Sequence, residues 1–458
     1  MKDKNKNRII NLIIGIIIFS VLYWAPLSGI SKAAQTLLAL SAMTLYFWCT
    51  NICANGYVSG LYLVLIIVLG VADTKEVFSC WSEPTIWLVV GAYLMCAGIR
   101  RAGIGERIAV YLMKHIIRGY KSTIFTIMLM HIVLALLIPH PWPRMFLIYS
   151  VVDDIIKNSG VDAKTGKWIK FSVAAFSCPT SFIFLTSDPV LTNIALNFAG
   201  AEMTWLRWFV VVGIPALVMC AFTMLAFLLM FNPKDIEFHT ENMVSTKIDA
   251  PFTAKDKLTL AWLVVALVLW ALDFAHGIPL GWVTLGIAML MSLPGIGVLE
   301  ADDWKTVPIG ILVLVTAVMA LSGLGQSTGM NEWLVTSLLP AVNIKTTAAA
   351  VLFITVCTML AHTFMGSAVP VLCVMATPLM AIAASAGLGA FPAVIICYIA
   401  SATHFILPFH HLNLAIVADN ETSFSSVETL RFAPILTIST IVVISLVFVP
   451  WWGLFGAL

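Results

Sequence analysis

The 458 residues are 60% hydrophobic and only 10% charged, where a soluble domain carries roughly 25% charge. One soluble core of this size is therefore excluded, and a net charge of +2 leaves no electrostatic footprint for nucleic acid. Nine cysteines without a CxxC pair, most of them inside apolar runs, point to neither a disulfide framework nor a zinc site.

The basic start, Met1 to Arg8, leads into an apolar stretch from Ile9 to Tyr23. No small-x-small cleavage pattern follows at the usual distance, so an uncleaved first span is expected. Crossing hydrocarbon takes roughly 20 apolar residues in a helix. Runs of that kind predict spans at about 9–25, 34–50, 57–71, 85–100, 168–200, 206–230, 258–272, 278–293, 308–323, 391–417 and 432–455, eleven in all. Two further apolar stretches, 122–156 and 346–385, are interrupted by Pro139, Pro141 and Pro143, and by Gly366 and Pro370.

Charge decides how to treat the interrupted stretches. With a cytoplasmic N-terminus and both stretches entering and leaving on one side, 20 of the 25 Lys and Arg fall inside. Only Lys32, Lys75, Arg207 and Lys345 fall outside, and Arg144 lies within the first stretch. That is a strong positive-inside bias. A single crossing of 122–156 would move the Lys157–Lys170 cluster outside, so both stretches read as re-entrant hairpins. Irregular backbone at their tips is tolerable at membrane depth only where it lines a cavity.

The halves repeat. Gly103-Ile-Gly-Glu106 through Leu112 aligns with Gly329-Met-Asn-Glu332 through Leu338, an offset of 329 − 103 = 226. At nearly the same offset Pro143 meets Pro370, and Asn193-Ile-Ala and Asn413-Leu-Ala follow at related positions. After the first span each half holds five spans and a hairpin. Five is odd, so the second copy is inverted. Inverted repeats with paired interrupted helices mark secondary carriers with a midplane site. The expected fold class is thus an all-α polytopic membrane protein, about eleven transmembrane helices plus two re-entrant hairpins in an inverted repeat.

Four segments are polar or helix-breaking at membrane depth: Pro139-His140-Pro141 to Arg144, Ser177 to Pro189, Ala361 to Ser367, and Thr403 to Asn413. Broken helices offer N–H ends to anions and carbonyl ends to cations. Candidate substrate- and ion-binding residues are His140, Thr186, Ser187, Asp188, Gly366, Ser367, His411 and Asn413. Asp188 could bind a cation or carry a proton, or serve only as an N-cap ahead of Pro189. Gly366 would let backbone approach the ligand, and Thr186 and Ser367 would offer hydroxyls. Arg144 could reach for the cytoplasmic face or bind a carboxylate. His410 could join His140 and His411, whereas His362 and His404 read as core residues. No HxH or HExxH spacing supports a metal, and no nucleophile elbow supports a hydrolase, so no catalytic and no metal-ligating residue is expected.

Trp87-Leu-Val-Val-Gly91 leading to Ala102-Gly-Ile-Gly-Glu-Arg107, its second-half copy around Gly310 and Gly329-Met-Asn-Glu332, and Leu407-Pro408 to Val417 together resemble the divalent anion:sodium symporter family. The resemblance covers nearly the whole chain in order. It implies a homodimer with a scaffold and a moving transport domain, elevator-type alternating access, and import of small dianions, usually with Na+ as the coupling ion. On that pattern residues 1–84 and 258–306 are scaffold helices. Residues 85–231 form the first inverted repeat, with hairpin 122–156 and broken helix 168–200. Residues 232–257 are a cytoplasmic linker, and 307–458 form the second repeat, with hairpin 346–385 and broken helix 391–417. The family has a Ser-Asn-Thr triplet at each hairpin tip. Here the tips read Pro139-His140-Pro141 and Met365-Gly366-Ser367. The family's Thr-Pro-Pro-Asn-like turn becomes Thr186-Ser187-Asp188-Pro189, and in the second half His411-Leu412-Asn413-Leu414.

Histidine titrates near neutral pH, so proton coupling stands beside sodium coupling. The expected function is secondary transport of a small organic or divalent anion, dicarboxylate- or sulfonate-like, in the cytoplasmic (inner) membrane amid lipid. The alternatives are a sodium/proton or other ion exchanger of the same fold and a non-transporting receptor. Nucleic-acid partners, cofactors other than Na+ and enzymatic chemistry are not expected.

Overall fold

The structure is a computed structural model that describes residues 2–158, 160–233, 251–338, 344–407, 411, 413–414 and 424–457. His410, Pro408, most of the linker 232–257 and most of the expected broken helix beyond residue 414 lie outside the described residues. All regular structure among the described residues is helical.

Helix α1 spans Lys2–Trp24 and keeps a mostly exposed apolar surface; it packs on α2, Lys32–Thr50. Ser31 caps α2 by accepting the Ala34 N–H at 3.1 Å. Gln35 returns the favour to α1, its Nε2 donating to the Leu22 and Ala25 carbonyls left open at that helix end. Helix α3 is Asn55–Val68 and α4 is Pro84–Arg101. A 59° bend separates α4 from the amphipathic α5, Ile104–Ile116. The first interrupted stretch forms the hairpin of α6, Tyr120–Leu137, and α7, Pro141–Asn158. Then follow α8, Ala163–Ser177, and α9, Pro189–Ala199, two short helices separated by an irregular break. Helix α10 is Trp205–Met230.

The second half retraces this order: α11, Ala254–Ala271; α12, Leu280–Leu290; α13, Ile309–Ser327; α14, Met330–Leu338; the hairpin of α15, Thr347–Met365, and α16, Ala368–Ser385; α17, Ala390–Thr403; and α18, Ser426–Leu454. Seven of the described helices are individually long and apolar enough to cross a membrane. Several expected spans, among them α3, α9, α12 and α17, are shorter apolar helices. The aligned glycines behave alike, since Gly103 (φ 60°) and Gly329 (φ 80°) each turn left-handed immediately before α5 and α14.

The repeat is also visible in how the halves cross. Helix α3 of the first half packs on α13 of the second, and α12 of the second packs on α4 of the first. A Cβ on Gly56 would fall 2.7 Å from the Gly310 Cα, and one on Gly281 would fall 1.9 Å from the Pro84 carbonyl oxygen. Gly56 corresponds to Gly281, 56 + 225 = 281, and Gly310 falls one residue past the equivalent of Pro84, 84 + 225 = 309. In lipid, helices gain little from apolar burial against each other, so backbone approach through small residues supplies the packing.

Prolines act mainly as helix starters. Pro141 and Pro143 sit in the first turn of α7 and Pro370 in the first turn of α16, where no intrahelical donor is lost. The second break is thus at Gly366, left-handed at φ 64°, and not at Pro370, which sequence alone had offered beside it. Pro215 and Pro450 each follow a π-turn by two residues, Phe209–Gly213 and Ile444–Phe448. Proline removes the donor to the carbonyl four residues earlier. For Pro215 that carbonyl belongs to Val211, and it accepts the Trp452 Nε1–H at 3.0 Å instead. Trp451 does the same for Val210 at 2.8 Å.

Two basic residues meet at Trp168. The Arg431 guanidinium donates to the Met230 carbonyl at the end of α10 and lies over the Trp168 and Phe231 rings, and Lys164 also lies over Trp168.

Candidate functional site

Both hairpin tips and both helix breaks converge on a cavity of about 440 Å³. Hairpin α6–α7 contributes His140 and Trp142; hairpin α15–α16 contributes His362, Ser367, Ala368 and Val369. The first break supplies Ser181 and Asp188, with Leu191 beyond, and the second supplies Ala402, His411 and Asn413. The rest of the lining is Asn51, Ala54, Asn55 and Gly56 at the entry to α3, and Pro308, Gly310, Ile311 and Leu314 at the start of α13.

The first break is held by α10. Trp208 Nε1 donates to the Phe182 carbonyl at 3.1 Å and Trp205 Nε1 donates to Thr186 Oγ1 at 3.2 Å. Phe184 stacks on Trp205 with ring centroids 5.4 Å apart. A Cβ on Gly213 would lie 2.4 Å from the Ile183 carbonyl oxygen, so the break rests against bare backbone there. Ser187 Oγ accepts the Phe184 N–H at 3.0 Å and donates to the Ala135 carbonyl at 3.4 Å. Thr186 and Ser187 are therefore buried in fixing the break, and neither lines the cavity. Asp188 is buried, lines the cavity, and caps α9 by accepting the Leu191 N–H at 3.2 Å.

At the first tip, His140 Nδ1 accepts the Trp142 N–H at 3.3 Å, which places the ring hydrogen of neutral His140 on Nε2. Arg144 neither reaches the surface nor meets a carboxylate, as the sequence had allowed. It is fully buried, and its Nη1 donates to the carbonyls of Ile138 and Ser187, 3.1 Å each. Sequence could not anticipate this, because both carbonyls are released only by the breaks.

At the second tip, Gly366 ends α15 and Ser367 begins α16 as an N-cap whose side chain makes no capping bond. Ser367 and the first residues of α16 thus line the cavity without a side-chain cap, and a helix N-terminus favours an anion. The α9 N-terminus, by contrast, already faces the Asp188 carboxylate.

In the second break, His411 Nδ1 accepts the Asn413 N–H at 3.3 Å and its Nε2 donates to the Ala402 carbonyl at 2.9 Å. Asn413 joins the halves: Oδ1 accepts from Trp142 Nε1 at 2.8 Å and Nδ2 donates to Ser177 Oγ at 3.0 Å. His362 and His404, which read as core residues, close a ring cluster with His411; centroids are 6.1 Å apart for His362–His404 and 5.7 Å for His362–His411. Thr363 Oγ1 lies 3.0 Å from His404 Nε2. Among the described residues no group of three or more His, Cys, Asp or Glu has metal-binding geometry.

Of the candidate residues, the fold brings His140, Asp188, Ser367, His411 and Asn413 to one cavity, with Gly366 adjacent in the chain. Trp142, Ser181, Asn51 and Asn55 join them without having been singled out, and His362, read as a core residue, joins them as well. Asn51 carried a weak signal, a polar residue at the end of a span; it is the one described non-glycine residue with positive φ, 47°.

Residues 6–458 match the family described as the sodium:sulfate symporter transmembrane region. The chain belongs to the divalent anion:sodium symporter family. This is a family of transporters, not of enzymes, and the chain is an integral multi-pass membrane protein. Among its relatives, a putative malate transporter of Bacillus subtilis, YflS, is 22% identical over 72% of this chain and 73% of its own length. The chloroplastic dicarboxylate transporter 1 of Spinacia oleracea is 23% identical over 67% of this chain and 56% of its own. An L-tartrate/succinate antiporter of Escherichia coli is 24% identical, with the match covering 47% of each chain. The solved YdaH transporter of Alcanivorax borkumensis shares the fold, with a TM-score of 0.56, 13% identity and coverage of 98% of both chains.

Proposed function

We propose that this symporter-family member carries a small organic or divalent anion, dicarboxylate- or sulfonate-like, across the cytoplasmic membrane. The observation that carries the reading is the cavity shared by both hairpin tips and both breaks, with the uncommitted Ser367 hydroxyl at the N-terminus of α16. An anion seated there receives the α16 N–H groups and Ser367, while His140 and His362 supply further donors, and His411, both of its ring nitrogens engaged, fixes the second break beside them. Asp188 faces the same space and sets the sign at the other side, for a cation or a proton. The dicarboxylate names of the relatives support the substrate class.

Movement of the two hairpins and broken helices against α3 and α13 exposes the cavity to each side in turn, an elevator-type alternation in a homodimer. The N-terminus is cytoplasmic, in keeping with the positive-inside distribution of Lys and Arg along the sequence. Coupling is to sodium or protons, and the His362–His404–His411 cluster favours protons in the second half.

Uptake into proteoliposomes tests this directly. Labelled dicarboxylates, sulfate and sulfonates are offered under separately imposed sodium and proton gradients. Uptake of one of these anions is expected, and its proton drive should disappear in His411→Ala. Sodium and proton exchange that runs without any organic anion would favour an ion exchanger using Asp188 and the histidines. Anion binding with no flux of any kind would mean a receptor.

A further inference from the structure

We propose that the Arg144 guanidinium is a resident cation at the first hairpin, filling the place of a coupling sodium ion so that the first half of the chain binds none. This rests on the transport reading, since a coupling ion has meaning only in a carrier.

Arg144 is fully buried, and Nη1 bridges two backbone carbonyls at 3.1 Å each. One, Ile138, belongs to the C-terminal end of α6; the other, Ser187, belongs to the break ahead of α9. Carbonyls released at the ends of broken helices are the groups that coordinate small cations in carriers. Here a tethered cation already meets them. The helix macrodipole does not explain its position, because Arg144 lies in the first turn of α7, the end that disfavours positive charge. Direct ion pairing does not either: no described carboxylate lies within salt-bridge distance, the Asp188 carboxylate acting only from beyond it, and Nε and Nη2 lack a hydrogen-bond partner among the described residues. The two carbonyls are what hold the group. Arginine stays charged and cannot leave, so the guanidinium presents the same charge in every state of the cycle, and any proton carried in this half belongs to Asp188. The second half differs. With Pro143 aligned on Pro370, the position equivalent to Arg144 is Val371, and histidines surround its break instead of a fixed charge.

The test uses the purified full-length chain in detergent with no substrate anion. Thermal unfolding is followed in matched choline, sodium and guanidinium chloride at low millimolar concentration. A ligand that binds only the folded state raises the melting temperature with its concentration. Arg144→Ala should melt lower than wild type in choline and recover with guanidinium or sodium, whereas wild type should gain nothing from guanidinium. A monodisperse Arg144→Ala protein that responds to neither cation would overturn the proposal. Should that variant not fold, radiolabelled sodium binding to wild type decides. At most one ion per chain is expected, and two would overturn it. Neither measurement involves flux, so failure of the carrier reading in the uptake panel remains distinguishable.

Discussion

Trp142 Nε1 donates to Asn413 Oδ1 at 2.8 Å, joining positions 271 apart in sequence. The bond ties the first hairpin to the second break, and Asn413 passes it on to Ser177 at the end of α8. Trp142→Phe keeps an aromatic ring but not the indole N–H, so it loses one bond and should cost about 1 kcal/mol of stability. Asn413→Ala leaves the indole N–H and the Ser177 hydroxyl short of a partner, and should cost about 1–3 kcal/mol. Chemical denaturation of the two variants in detergent checks the order; a costlier Trp142→Phe would show that the bond is not the link between the halves.

Asp188 has two roles that one pair of variants separates. Asparagine caps a helix as well as aspartate, so Asp188→Asn should keep the melting temperature while abolishing coupled uptake. Asp188→Ala should lose the cap as well, about 0.5–2 kcal/mol. Unimpaired uptake in Asp188→Asn would reduce Asp188 to a cap.

The crossing of α12 on α4 sets a steric prediction. Gly281→Ala drives a methyl into the Pro84 carbonyl, 1.9 Å away, with no side chain able to yield. Forced overpacking costs about 1–3 kcal/mol. Gly286→Ala lies on the same helix with nothing within 4 Å of its Cβ and should be neutral or slightly stabilising. Thermal unfolding of both proteins side by side is the check, and equal melting temperatures would refute the tight crossing.

Asp162 lies in the loop before α8. Hydrogen bonds from Thr165, and from the Lys164 N–H at 2.9 Å, hold its carboxyl below the ordinary carboxylate range. With a depressed folded value, the stabilisation is in place above the ordinary pKa of about 3.9. It is lost as pH falls through the lower folded value. Asp162→Asn keeps a cap that does not titrate, so its stability should fall less than wild type between about pH 5 and about pH 2. Identical acid profiles for the two proteins would exclude Asp162 as a contributor.

The amino-acid sequence by itself determined the membrane class, the two interrupted stretches and the repeat. Long apolar runs, clustered Lys and Arg, and the Gly103 and Gly329 motifs are patterns of spacing, and spacing survives folding unchanged. It also placed the breaks near His140, Asp188, Gly366 and His411, because proline and glycine act on their own backbone. Which side chains turn to the cavity was decided by the tertiary structure. Within a break no helical period relates position to direction, so Thr186 and Ser187 could face Trp205 and Ala135 while Asp188, their neighbour, faces the cavity. His362, read as core, joins the site because α15 and the second break meet there. Arg144 found its partners in carbonyls that exist as acceptors only after α6 and the segment before α9 have both come apart.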